Sequence, residues 1–313
     1  MRTLATNFRV HSDVVEKADL VDAGPSGTLE ETARRLETTG LFRILRRLEP
    51  RPVRPFSHQT TPTARRVAIV LDTETTGLDP EVDEILELAM IAVTYDERGL
   101  HDVVERFTGL SEPSTEITPQ ITSLTGLTLD DLRGHTIDPD AVAAFIQRAD
   151  FVVAHNADFD RKFCRRRFAS LSAKPWLCSY RDIDWRVFGA ENSRLSGILG
   201  HVGLFHTAHR AMADCDALVE ILAADRWSTA ERSPFASLLA SLGTAKVEII
   251  AGGPTYAWRD QLKRRGYRWS PGTTTTPKGW FVQLAKADAD REIAWLKSTV
   301  YAKEGSPTVR SSS

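Results

Sequence analysis

Residues 67–78, Val67-Ala-Ile-Val-Leu-Asp-Thr-Glu-Thr-Thr-Gly-Leu78, decide the reading of this chain. The first five form a short, continuous apolar run, the pattern of a strand buried on both faces. The run ends in two carboxylates, Asp72 and Glu74. Residues two apart on a strand point to the same side. Both carboxylates therefore face one place at the strand's carboxyl end, where α/β sheets usually keep their sites. Working outward, Ile85–Tyr95 reads as a second strand and Asp102–Thr108 as a third, with Gly99 marking the turn between them. A helix is expected from Asp138 to Ala149, then a buried strand, Phe151-Val-Val-Ala154, then helices around 158–169, 193–202 and 208–224. Helices interleaved with buried strands predict an α/β fold, one mixed sheet with helices on its faces.

Two further acidic residues stand out by placement. Asp160 closes His155-Asn-Ala-Asp-Phe-Asp160, just after a buried strand and at a helix start. Asp214 lies five residues after His209, on a late helix. Hard, oxygen-only clusters of this kind suit Mg²⁺ or Mn²⁺. The segments LDTETTGLD, HNADFD and HRAMAD, in this order over about residues 66–226, resemble the three motifs of the DEDDh (DnaQ-like) 3′–5′ exonuclease superfamily. The stretch from Ile117 to Gly126 looks like that family's connecting helix between the first and second motifs.

The resemblance implies an RNase H-like fold and hydrolysis of phosphodiester bonds from a 3′ end, releasing nucleoside 5′-monophosphates. Carried over residue by residue, Asp72, Glu74, Asp160 and Asp214 would hold two divalent ions, Mg²⁺ or Mn²⁺. One ion would activate the attacking water and the other would stabilise the leaving 3′ oxygen. His209 would take the proton, since imidazole is the side chain that ordinarily titrates near neutral pH. Backbone and side chains from Thr75, Thr76, Gly77 and Leu78 would hold the terminal nucleotide, with the leucine beside the base. His155 and Asn156 either hydrogen-bond the substrate or order their loop. Asp158 and Asp216 are neighbours that the motif alignment passes over. Arg161-Lys-Phe-Cys-Arg-Arg-Arg167 puts five cations in seven residues beside Asp160, a face for a nucleic-acid backbone or simply for water.

The remainder divides by charge and composition. Net charge is −2 for 313 residues, made of +4 over residues 1–66, −12 over 67–226 and +6 over 227–313. Three domains are expected. They are a basic helical and linker segment, 1–65, the exonuclease-like domain, 66–230, and a small α+β accessory module of βαββα pattern, 244–303. In the first, Thr28 and Glu31 form a capping-box pattern, Phe42–Leu48 is basic and amphipathic, and 50–64 reads as a linker. In the last, Trp269 and Trp280 sit on facing strands among basic residues. They read as module core, with base stacking as the alternative. Three cysteines without a CxxC pair exclude a zinc ribbon or disulfide framework and fit a reducing cytoplasm. No apolar run approaches the ~20 residues of a membrane span, and the N-terminus lacks a signal-peptide pattern. The expected partner is nucleic acid, DNA before RNA, with a polymerase or repair partner and a homodimer left open. The rival readings are a polymerase proofreading subunit, an RNA-processing exonuclease, and a catalytically silent nucleic-acid-binding module.

Overall fold

The computed structural model describes residues 28–55, 66–227, 232–243, 246–272, 277–302 and 305–312. Two compact units divide the chain, Met1–Leu45 and Arg46–Ser313. In the first, helix α1 (Leu29–Thr38) starts at the expected capping box. Thr28 Oγ1 accepts from the Glu31 amide at 3.2 Å, and the Glu31 carboxylate accepts from the Thr28 amide at 2.6 Å. The basic stretch 42–48 does not continue as a helix. Its end instead opens the second unit as β1 (Arg46–Arg47), paired in parallel with residues 204–205. The amides of Arg46 and Leu48 donate to the carbonyls of Gly203 and Phe205 at 2.9 and 2.8 Å, which requires extended backbone. Most of the expected linker, and residues 1–27, lie outside the described residues. The described part is tied down. Arg51 donates to Glu220 at 2.7 Å and to Asp225 at 2.8 Å, and Val53 bridges to Val103.

The main sheet begins with an antiparallel meander, β2 (Arg66–Thr75), β3 (Ile85–Tyr95) and β4 (Leu100–Leu110). Helices α2 (Pro119–Thr125), α3 (Leu129–Leu132) and α4 (Pro139–Ile146) lead to β5 (Phe151–Ala154), parallel to β2. Then α5 (Asp158–Arg167) and α6 (Ala169–Ser172) lead to β6 (Trp176–Cys178), parallel to β5. The order is β4-β3-β2-β5-β6, the expected mixed RNase H-like sheet. After it come α7 (Ser179–Asp182), α8 (Leu195–His201), β7 (Leu204–Phe205), α9 (Ala211–Leu222) and α10 (Pro234–Leu239).

Strand alternation sorts β2 onto two cores. Ala68 and Val70 pack with Ile198, Cys215, Leu218 and Phe235 of α8, α9 and α10. Val67, Ile69 and Leu71 pack with Val142, Phe163 and Leu171 of α4, α5 and α6. Each fully buried side chain of this size contributes roughly 1.5–3 kcal/mol, so the two rows hold the strand end rigidly between helices. By the same alternation Asp72 and Glu74 extend the row facing α9, and Thr73 extends the row facing α5.

The C-terminal module contains β8 (Lys246–Ala251), α11 (Arg259–Arg264), β9 (Arg268–Ser270), β10 (Gly279–Ala285), α12 (Lys286–Trp295) and β11 (Thr308–Ser312). Its antiparallel order is β11-β8-β10-β9. Beyond the expected module the chain adds the strand β11, with Thr308 paired to Ile250. Trp280 is core, 8% exposed, beside Ile249, Leu262, Tyr267 and Leu296. Among the described residues no helix is long and apolar enough to cross a membrane.

Candidate active site

A cavity of about 490 Å³ opens at the carboxyl end of β2. Asp72, Glu74, Thr75, Gly77, Leu78, His155, Asn156, Asp160, His209 and Asp214 all line it. Carboxylate oxygens of Asp72, Glu74 and Asp214 lie within 4.8 Å of one another. Asp160 shares the cavity but approaches from the α5 side. Its Oδ1 accepts from both the amide and the hydroxyl of Thr73, at 3.0 and 2.8 Å. Strand alternation explains the division, because Thr73 faces α5 while Asp72 and Glu74 face α9.

One expected residue is not brought to the cavity. The Thr76 hydroxyl donates to Asp83 at 3.2 Å and accepts from the Glu84 amide at 2.9 Å, bracing the loop instead. The Asp83 carboxylate packs against Gly77 where a Cβ would stand, so a side chain there would have to displace Asp83. Leu78 projects beyond it and is 85% exposed. Ile121, Leu124 and Thr125 of α2 form part of the same wall.

His209 does not lie on a helix, as the sequence suggests. Helix α9 starts two residues later, and His209 adopts a left-handed backbone with φ 64°. Asn156, also at the cavity, has φ 71°. Left-handed backbone costs most residues other than glycine roughly 1–2 kcal/mol, a cost that falls on His209, whereas asparagine tolerates it. At His209 the turn aims two amides at one oxygen. Asp214 Oδ2 accepts from His209 N at 2.8 Å and Arg210 N at 3.2 Å.

Two residues passed over in the sequence complete this arrangement. His206 Nε2 donates to Asp214 Oδ1 at 2.8 Å, fixing the second oxygen. Glu87, paired across the sheet with Glu74, is buried and accepts from Ala211 N and Arg210 Nε, each at 3.2 Å. It thus caps α9 from β3. The two acids set aside by the alignment are both paired. Asp158 bonds Arg181, and Asp216 meets Arg106 at 2.7 Å. Of the neighbouring cations, Arg166 bonds the Pro80 carbonyl and Arg167 bonds Ser111 at 2.9 Å.

The carboxylates are held against their preference to ionise. Burial first, then the charges of Asp160, Asp214, Glu74 and Glu87, push the Asp72 carboxyl well above its usual range. Burial, Asp214 and Glu87 push Glu74 up to about 8. Burial raises Asp160 to about 7 against the opposing hydrogen bonds from Thr73. Burial pushes His155 the other way, down to about 4. Its Nδ1 lies 2.9 Å from Ser179 Oγ, and the Ser193 backbone also hydrogen-bonds the ring. Like charges crowded into a partly dry site call for a cation, and an all-oxygen donor set suits a hard divalent ion.

The family model RNase_T, described as Exonuclease, matches residues 69–222. The DNA polymerase III subunit epsilon of Treponema pallidum is 32% identical over 161 residues, 48% of this chain and 72% of that protein. The chain belongs to the DEDDh exonuclease superfamily. Another relative of this superfamily, the epsilon subunit of Aquifex aeolicus, is 31% identical over 162 residues, 49% of this chain and 77% of that protein. The PolC-type DNA polymerase III of Thermotoga petrophila is 33% identical over 159 residues, 49% of this chain. That match spans only 11% of the polymerase's length. These matches cover the DEDDh block and about half of the chain.

Proposed function

We propose that this protein is a divalent-metal-dependent 3′–5′ exonuclease that shortens DNA from its 3′ end and releases nucleoside 5′-monophosphates. The observation that carries this reading is the meeting of Asp72, Glu74 and Asp214 within 4.8 Å, in a cavity that Asp160 and His209 also line. Asp72, Glu74, Asp160 and Asp214 would hold the ions, Mg²⁺ or Mn²⁺. Bound there, such ions supply Lewis-acid stabilisation of charge developing on the phosphate and leaving oxygens. His209 accepts the proton of the attacking water. His206 and the amides of His209 and Arg210 keep both oxygens of Asp214 fixed. The exposed Leu78 packs against the terminal base, and Thr75, Gly77, His155 and Asn156 line the pocket around the last nucleotide. The P–O3′ bond breaks, so the phosphate leaves on the 5′ carbon of the released nucleotide.

Digestion of 5′-labelled single-stranded DNA, duplex DNA and RNA of one sequence tests the proposal, with Mg²⁺, Mn²⁺ or EDTA. The expected result is a ladder shortening from the 3′ end, fastest on DNA and lost in EDTA and in Asp72→Ala and His209→Ala proteins. Folded wild-type protein that binds DNA but digests nothing would overturn it and leave a silent binding module. Likeness to two epsilon subunits over most of their length favours a second reading, a proofreading partner of a polymerase. That reading expects a stable complex with a polymerase subunit on co-purification.

A further inference from the structure

Arg268 of the C-terminal module lies two ring contacts from the cavity wall. Arg268 of β9 lies 4.4 Å over the Tyr180 ring of α7 and 5.4 Å over Phe281 of β10. Tyr180 in turn meets the His155 ring edge-on at 5.4 Å, and His155 lines the cavity. Among the described residues Arg268 has no carboxylate partner, whereas the adjacent Arg181 is taken by Asp158.

Trp269 follows on the same strand and, by alternation, faces the other side of the sheet, the side where Trp280 packs against Leu262 of α11. One side of its ring packs on Trp280 at 5.5 Å, yet the residue stays 46% exposed. Lys263 Nζ sits 5.9 Å over Trp280 and has no carboxylate partner among the described residues. Arg259, one helical turn before Lys263 on α11, stacks on Tyr256 at 4.5 Å, and Tyr256 is 76% exposed. The module's core is already filled by Trp280, Tyr267, Leu262 and Ile249. Packing therefore does not account for the exposed faces of Trp269 and Tyr256. Aromatics interleaved with cations along a surface match alternating bases and phosphates, and single strands alone offer free base faces to stack.

We propose that these residues form a binding track for single-stranded DNA, which passes Arg268 on leaving the cavity, crosses the sheet at its edge strand β9 and runs on along the α11 face. Arg268 contacts the phosphates nearest the site. Lys263 and Arg259 contact those beyond, and Trp269 and Tyr256 stack on bases. The track rests on the exonuclease reading and deepens it, because it makes the module a grip on the DNA upstream of the 3′ end.

The test compares kcat/KM on a trithymidylate and on a 15-nucleotide oligothymidylate, using the full chain with Mg²⁺. The ratio of long to short substrate normalises for any loss of folded protein. Wild type should favour the long substrate. Trp269→Ala and Lys263→Glu should each lower that ratio about tenfold, the size expected for losing one stacked base or a phosphate contact. An unchanged ratio in both variants overturns the track while leaving the exonuclease reading intact. If wild type digests neither substrate, the exonuclease reading fails by itself. Fluorescence anisotropy of the 15-nucleotide strand then decides the track. A tenfold weaker Kd in both variants supports it, and equal affinity for all three proteins overturns it.

Discussion

Raising the pH without metal should destabilise this protein, and a divalent ion should reverse the effect. Folding raises the Glu74 pKa from its ordinary 4.5 to about 8. A group raised in this way gives its full stabilisation below its unfolded pKa and loses it as pH climbs through the folded value. Asp160, raised from 3.8 to about 7, acts in the same direction. His155 acts oppositely, because burial lowers it from 6.5 to about 4 and its stabilisation is lost only as pH falls below 6.5. A window from pH 6.5 upward therefore isolates the carboxylates. Between pH 6.5 and about 8, at about 1.4 kcal/mol per pH step, Glu74 alone costs the metal-free fold roughly 2 kcal/mol. Roughly 2–4 °C per kcal/mol applies to a chain of this size, so Tm in EDTA should fall by about 4–8 °C.

The assay is differential scanning fluorimetry in EDTA, in Mg²⁺ and in Mn²⁺, from pH 6.5 to about 8.5. Metal should raise Tm more at the high end, where the carboxylates are ionised and unpaired without it. Glu74→Gln should raise the metal-free Tm at high pH and reduce the slope, leaving the part that Asp72 and Asp160 carry, because an amide carries no charge to repel. A flat metal-free Tm, or a metal shift equal at both ends of the window, would refute the repulsion argument.

Three other outcomes follow from single contacts. His206→Ala should cut kcat at least tenfold with an unchanged circular dichroism spectrum, because one Asp214 oxygen loses its anchor; His206→Gln, which keeps a donor, should retain more, and equal rates for all three proteins would count against the role. Asn156→Ala should lower stability by about 1 kcal/mol in thermal melts, since alanine resists a φ of 71°, whereas Asn156→Gly should be nearly neutral. Arg51→Ala should cost about 1–3 kcal/mol in urea unfolding, because Glu220, whose side chain is 2% exposed, then keeps only Arg226 among the described residues; restoration by a second change, Glu220→Gln, would confirm that stranded charge is the cause.

What could be read in advance depends on whether a residue's signal is local. The β2 run and its two carboxylates announce themselves, because a buried strand needs continuous apolar residues and charge at its end is conspicuous. The cap at Thr28 is equally local, depending on a partner three residues away. Residues 42–48 misled, since their spacing favours a helix while the parallel bonds to Gly203 and Phe205 come from residues far along the chain. The strand β11 was illegible for the same reason. A polar run gains strand structure only by pairing with β8, whose backbone supplies the hydrogen bonds.

The site divides along the same line. The family resemblance pointed to four carboxylates and His209, which line one cavity, but it did not point to the residues that hold them in place. Glu87 is one more acid in an apolar strand, and only the register that sets it opposite Glu74 reveals that it caps α9. His206 carries no signal in the sequence, and only its distance to Asp214 separates it from His201, whose ring stacks on Trp227 at 5.7 Å. Thr76, inside the strongest motif, turns away because the tight turn at Gly77 gives its hydroxyl to Asp83 and Glu84. A motif therefore identifies which backbone segment enters the site, while the sheet register and the turn geometry decide which of its side chains arrive there.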